Sequence, residues 1–272
     1  MTARNWLRTL RTRMSLLVPL IRRDVVGRYR GSALGLLWSF LNPLFMLAIF
    51  TLVFGAVFQS RWDVPGSDTQ AHSLVEYSII LFTGLTVFQF FAEVINRAPS
   101  LILANANYVK KIVFPLEILP MVAVGSALFH AAISLALTLA FVGSLLGGIP
   151  ATAWLLPLVL LPLVLLTVGL AWFLASFGTY LRDIGQLTGS IVTALMFLSG
   201  VFFPRSALPE WIQPWIALGP ITLPIEMARQ VLVFGQQPDW RSFALYSAAA
   251  AAVAILGYLF FQKTRKGFAD VV

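Results

Sequence analysis

The stretch 154-WLLPLVLLPLVLLTVGLAWFLASFGTY-180 contains no charged residue. A helix needs about 20 predominantly apolar residues to cross ~30 Å of hydrocarbon, so this segment reads as a membrane span. Four more stretches meet the same requirement, roughly 36–58, 77–95, 118–146 and 242–261. Another, about 187–203, is short and carries Gly189, Ser190, Thr193 and Gly200. Small and hydroxylated residues are common where membrane helices approach closely, so it is counted as a span. The expected fold is an all-α integral membrane protein with six transmembrane helices.

Composition agrees. Of 272 residues, 59% are hydrophobic and 11% charged, against about 45–50% and about 25% in a soluble domain. The net charge of +8 suits a membrane face better than nucleic acid once the mean hydropathy of +0.86 is considered. The absence of cysteine excludes disulfides, thiolate metal sites and cysteine nucleophiles. No phosphate-binding loop of the GxxxxGK[ST] type is present. His72 and His130 are isolated from each other and from carboxylate clusters, so neither catalytic nor metal-ligating residues are assigned. With little intramembrane charge an ion-coupled pump is disfavoured, and a transporter of this kind would draw its energy from another chain. Six spans give few pore walls, which makes a symmetric dimer plausible.

Basic residues set the orientation. Eight arginines lie between Arg4 and Arg30, followed on the same side by Arg97, Lys110, Lys111, Arg182, Lys263, Arg265 and Lys266. Only Arg61, Arg205, Arg229 and Arg241 are left for the other side. The positive-inside rule then places both termini in the cytoplasm, as an even number of spans requires. No signal peptide is legible in the first 30 residues.

Several segments carry two readings. The first 30 residues form an amphipathic helix along the membrane surface, with Trp6, Leu10, Leu17, Leu20 and Ile21 sharing part of a face. It is either an anchor with orienting charge or a functional surface. Prolines at 204, 209, 214, 220, 224 and 238 break an apolar run into pieces too short to cross. These read as re-entrant or interfacial helices, or as an aromatic-belt loop that suits Trp211, Trp215 and Trp240. Loop 97–114, RAPSLILANANYVKKIVF, offers a short amphipathic stretch to a soluble partner, or is simply solvated. Thr86, Gln89, Glu93 and Arg97 recur on one helix face, as a polar seam or a pathway. Gln186, Ser190 and Thr193 form a similar stripe. Phe50, Phe54 and Phe58 stack at i, i+4 and i+8, with Trp38 and Phe45 further inward. Such faces can slide along sugar rings or pack on lipid and neighbouring helices.

The stretch RYRGSALGLLWSFLNPLFMLAIFTLVFGAVFQSRW (28–62) resembles the membrane subunits of ABC exporters for polysaccharides, of the O-antigen export (Wzm-like) type. FTGLTVFQFF (82–91), NANYVKKIVFPLEILP (105–120), GLAWFLASFGTYLRDIGQ (169–186) and SGVFFP (199–204) match in the same order. The resemblance covers residues 20 to 265 and implies a type-2 exporter permease fold. It has an interface helix and turn over 1–34 and a transmembrane domain over 35–261. That domain includes a coupling loop at 97–114 and an outer gate hairpin at 204–236, and a cytoplasmic tail covers 262–272. It further implies an inner-membrane homodimer bound to two copies of a separate ATPase. ATP and magnesium sit on that partner and no cofactor on this chain, which is not itself an enzyme. The substrate would be polysaccharide linked to undecaprenyl diphosphate, in contact with membrane lipid and not nucleic acid. Arg23, Arg28 and Arg30 would meet the lipid diphosphate at the inner mouth. Trp38, Phe45 and Phe54 are channel-lining candidates. Asn105, Asn107, Tyr108, Lys110 and Lys111 would couple to the ATPase, and Trp211, Trp215 and Arg229 belong to the outer gate. At 218–222 the chain reads Leu-Gly-Pro-Ile-Thr where the family pattern has Leu-Asn-Pro-Leu-Thr, so a turn-capping asparagine is replaced by glycine. Teichoic acid or capsule export by the same fold, and a membrane enzyme acting on lipid-linked sugar, are the alternatives.

Overall fold

A computed structural model describes residues 3–53, 74–110, 114–202 and 209–272, with side chains from residue 15 in the first helix and from residue 76 in the third. Every regular element among them is helical. The chain opens with α1 (Ala3–Tyr29), which ends where Gly31 takes a left-handed φ of 86°, a conformation glycine enters without a Cβ penalty. Next come α2 (Trp38–Phe50), α3 (Leu74–Arg97), the short α4 (Ala106–Lys110), α5 (Ile118–Leu145) and α6 (Leu156–Tyr180). Then follow α7 (Ile184–Leu198), α8 (Gln213–Ala217), α9 (Thr222–Leu232), α10 (Trp240–Thr264) and α11 (Phe268–Val271).

Five helical stretches among the described residues are long and apolar enough to cross a membrane: Gly35–Val53, Glu76–Ser100, Ile118–Leu145, Ala151–Tyr180 and Trp240–Val271. The remaining expected span differs. With 15 residues, α7 is only about 22 Å long, because the helix stops at Ser199 and Gly200 follows with φ 71°. It is a shorter apolar helix beside five of crossing length.

The core is built around α3. From Tyr77 to Ala92 every residue of this helix is buried except Gln89. α6 and α10 form the most extensive helix pair. Their closeness depends on glycine: a Cβ on Gly169 would fall 2.6 Å from Ala254 Cα, and one on Gly257 would strike the Gly169 carbonyl. Small residues permit such backbone approach where no hydrophobic drive exists between membrane helices. By contrast α2 exposes Phe45 and Ile49, and Leu52 just past its end is exposed too. α1, α4 and α11 gather at the end where α3 and α6 finish and α5 starts, and α8 and α9 close the opposite end.

Candidate functional site

Helix α1 packs against α5. Ile21 packs against the bare backbone of Gly125 in α5, while Arg28 reaches His130. The contact therefore descends along α5 by five residues, about 7–8 Å. A charge zipper fixes this register. Arg97 forks onto Asp24 through bonds of 2.8 and 3.0 Å, and one turn along α1 Arg28 pairs with Glu93. The charges match because Asp24 and Arg28 on α1, and Glu93 and Arg97 on α3, are each spaced i, i+4 in the same acid-then-base order, and the two helices meet antiparallel. Glu93 also lies 3.9 Å from Arg97 and 3.3 Å from His130 Nδ1. Burial tends to raise the Asp24 carboxyl, but the Arg97 hydrogen bonds and the Arg97 and Arg28 charges outweigh it and hold the pKa below the usual aspartate value.

Beside the zipper, α1, α2, α3 and α5 enclose a groove of about 390 Å³. Its polar lining includes Asn42, Thr86, Gln89, Glu93 and His130 and its apolar lining Met46, Phe50, Phe82 and Leu85, with α2 and α3 each contributing both kinds. Pro43 in α2 has no N–H to offer, so the Ser39 carbonyl loses its helical donor beside the same groove. Three of the polar stripe residues, Thr86, Gln89 and Glu93, line this groove, whereas Arg97 turns to Asp24.

The segment around Tyr108 also holds α1, and together with the charge zipper it forms a clamp on that helix. Arg23 donates to the Tyr108 hydroxyl at 2.7 Å, and its guanidinium carbon lies 5.8 Å from the ring centroid. Tyr108 stacks on Phe114 at 4.6 Å. Leu101 and Ile102 share a second core with Phe261 and the fully buried Phe268, so the C-terminal segment packs under the loop that leads into α4. Arg265 adds an ion pair to the buried Glu117 at 3.3 Å.

At the opposite end Arg229 of α9 is buried. Its Nε donates to the Ile80 carbonyl at 3.0 Å, and its two Nη atoms donate to the Gly200 and Val201 carbonyls at 2.7 Å each. The guanidinium occupies the space that a side chain on Gly84 would need. It ties α9 to α3 and to the turn that ends α7. Trp211 and Trp215 are exposed.

The residues singled out from sequence are therefore separated into three places. Arg23 bonds Tyr108, and Arg28, further along α1, is compensated by Glu93. Arg30 is exposed past the end of α1. Phe45 is exposed and Trp38 half-buried, and neither lines the groove. Asn105 donates back to the Leu101 carbonyl at 2.8 Å, Asn107 and Lys110 lie on α4, and Trp211, Trp215 and Arg229 lie at the far end. Phe54 and Lys111 fall outside the described residues. Sequence reasoning missed Asn42 and set His130 apart from carboxylates, though it sits beside Glu93. The i, i+4 charge pairs on α1 and α3 were the available signal.

The chain is 26% identical over 262 residues to the O-antigen export system permease protein RfbA of Myxococcus xanthus, covering 94% of this chain and 95% of that protein. It is 24% identical over 259 residues to a Klebsiella pneumoniae protein of the same name, with the same coverage. A capsule polysaccharide export inner-membrane protein, CtrC of Neisseria meningitidis, is 24% identical over 83% of this chain and 82% of that protein. The ABC-2 type transporter family matches residues 15–233, from the clamp helix through the buried arginine of α9, and the chain is a multi-pass membrane protein belonging to that family.

Proposed function

We propose that the chain is the membrane-spanning permease of an ATP-driven exporter that carries undecaprenyl-diphosphate-linked polysaccharide of the O-antigen kind across the inner membrane. The observation that carries this reading is the family match over residues 15–233, joined to near full-length similarity with O-antigen export permeases. The working unit is a homodimer with two copies of a separate ATPase, which bind ATP and magnesium. Both termini face the cytoplasm, which makes α1, α4 and α11 the cytoplasmic end and α8 and α9 the outer one.

In this mechanism the chain does no covalent chemistry. Closure of the ATPase halves pushes the coupling segment at Asn105, Asn107, Tyr108, Lys110 and Lys111. The Arg23–Tyr108 contact passes the push to α1, and the Asp24–Arg97 and Arg28–Glu93 pairs pass it to α3. Arg30, which is exposed, and Arg23 meet the lipid diphosphate, since guanidinium matches phosphate oxygens in bidentate geometry. Arg28, already compensated by Glu93, positions α1. Sugar then passes over the aromatic surfaces of Trp38, Phe45 and Phe54. Trp211, Trp215 and Arg229 belong to the outer gate, and the Arg229 bonds make α9 move as one piece with the end of α7.

Similarity to the Neisseria capsule permeases favours capsule polymer as the second substrate reading. The decisive experiment purifies the tagged chain from native membranes. A stoichiometric ATPase partner, lost when residues 107–111 become Gly-Ser, supports the exporter. A chain that purifies without any ATPase refutes it, and the polymer that reaches the surface in complemented cells separates O-antigen from capsule.

A further inference from the structure

The groove among α1, α2, α3 and α5 has unspent polar capacity. Gln89 is the one exposed residue on an otherwise buried run of α3, and it opens onto this groove. Within the described residues neither its amide nor that of Asn42 is used in a hydrogen bond. The Thr86 hydroxyl, on a side chain 5% exposed, also has no partner. A buried hydroxyl without a partner is costly, and this one belongs to a residue that lines the groove. The charges are already balanced: Arg28 is answered by Glu93, and His130 Nδ1 lies within 3.3 Å of the same carboxylate. An anion entering the groove would meet Glu93 without an uncompensated cation. A neutral group rich in hydroxyls would find amide and carboxylate partners toward one end of the groove and the rings of Phe50 and Phe82 toward the other.

We infer that this groove is a binding subsite for a neutral sugar residue, with one subsite inside each copy of the chain. The inference rests on the polysaccharide reading above and deepens it, because it separates the place that holds sugar from the exposed arginines that meet diphosphate. Gln89 and Asn42 would exchange hydrogen bonds with ring hydroxyls, Thr86 would gain its missing partner, and Glu93 would accept from a hydroxyl with its remaining lone pairs. Phe50 and Phe82 would cover the sugar ring's C–H face.

Because the chain has no cysteine, Met46→Cys places a unique thiol on the groove wall. The full-length variant in lipid nanodiscs is alkylated with N-ethylmaleimide in the presence of methyl β-D-glucopyranoside, maltose or methyl phosphate at equal millimolar concentration. The expected result is slowing of about threefold by one or both sugars, as suits a fragment-sized ligand, and none by methyl phosphate. Adding Gln89→Leu or Thr86→Val should weaken that protection by about fivefold, the loss of one hydrogen bond, without lowering the unfolding temperature of the Thr86→Val protein. A purely structural Thr86 would leave protection unchanged, and that result overturns the inference. So does equal or greater protection by methyl phosphate, protection by neither sugar, or a thiol that does not react at all, which would mean a groove closed to solutes. The failures are separable. If the ATPase partner co-purifies and polymer is exported while the thiol is unprotected, the subsite alone is wrong. If no ATPase is recovered, the exporter reading falls whatever the thiol does.

Discussion

Replacing Asp24 by Asn and Arg97 by Gln, singly and together, tests whether the charge zipper holds α1 on the bundle. The two carboxylate–guanidinium bonds of 2.8 and 3.0 Å put the charge centres about 4 Å apart, which corresponds to roughly 4 kcal/mol at an effective dielectric of about 20. That attraction is reduced because Arg97 is 33% and Asp24 25% exposed, and because both groups lose hydration on packing. A coupling of about 1.5–3 kcal/mol remains, in the range for charge-assisted hydrogen bonds. At about 2–4 °C per kcal/mol for a protein of this size, either single variant should unfold roughly 4–10 °C earlier. The double variant should be little worse than the poorer single one. Thermal unfolding of the full chain in nanodiscs measures all four corners. If the two single losses add to within about 0.5 kcal/mol, the groups are not coupled and the zipper does not exist as described.

The same pair sets a pH dependence. The folded Asp24 pKa lies below its unfolded value of about 3.9, so its contribution is complete above that value and is lost as pH falls through the lower folded pKa. The difference in unfolding temperature between wild type and Asp24→Asn should therefore stay flat from pH 7 to 5 and close only below about pH 4. Arg229→Ala orphans three buried carbonyls and should cost about 3–5 kcal/mol, read as a loss of unfolding temperature. Gly84→Ala should be strongly destabilising in the wild type and nearly neutral once Arg229 is Ala, because the guanidinium is what its methyl would strike. Tyr108→Phe removes the 2.7 Å bond from Arg23. Export should fall about fivefold while basal ATPase activity of the complex persists, and an equal fall in both would argue against transmission through this contact.

The helix boundaries were legible because hydropathy reports the bilayer directly. The third span, expected over 118–146, is α5 (Ile118–Leu145), and the fourth, expected over 154–180, ends at Tyr180. The shortness of α7 was legible as well, but its end was not: the expected segment ran to 203, whereas the helix stops before Gly200, whose left-handed φ leaves no trace in mean hydropathy. Partnering was hidden for a different reason. Asp24 and Glu93 look scattered along the chain, and only the packing of α1 on α3 and α5 brings each to an arginine. Gln89 could be placed on a polar face from its spacing. Its isolation as the exposed residue of a buried run depends on which helices surround α3. Arg229 read as one of a few basic residues on the outer side, whereas its burial follows from space opened by Gly84, 145 positions away by subtraction of the residue numbers.

The contact of α6 with α10 has a consequence in time. The surface around Gly169 fits the backbone of a helix that has not been made when α6 enters the membrane. From Tyr180 to Thr264 the ribosome must add another 84 residues by the same subtraction, which takes roughly 4–17 s at about 5–20 residues per second. During that interval lipid stands in for α10, and the arrival of the last long helix closes the fold. A nascent chain stopped before residue 240 would present an unfilled glycine seam to the bilayer, a mark by which quality control can tell an unfinished permease from a complete one.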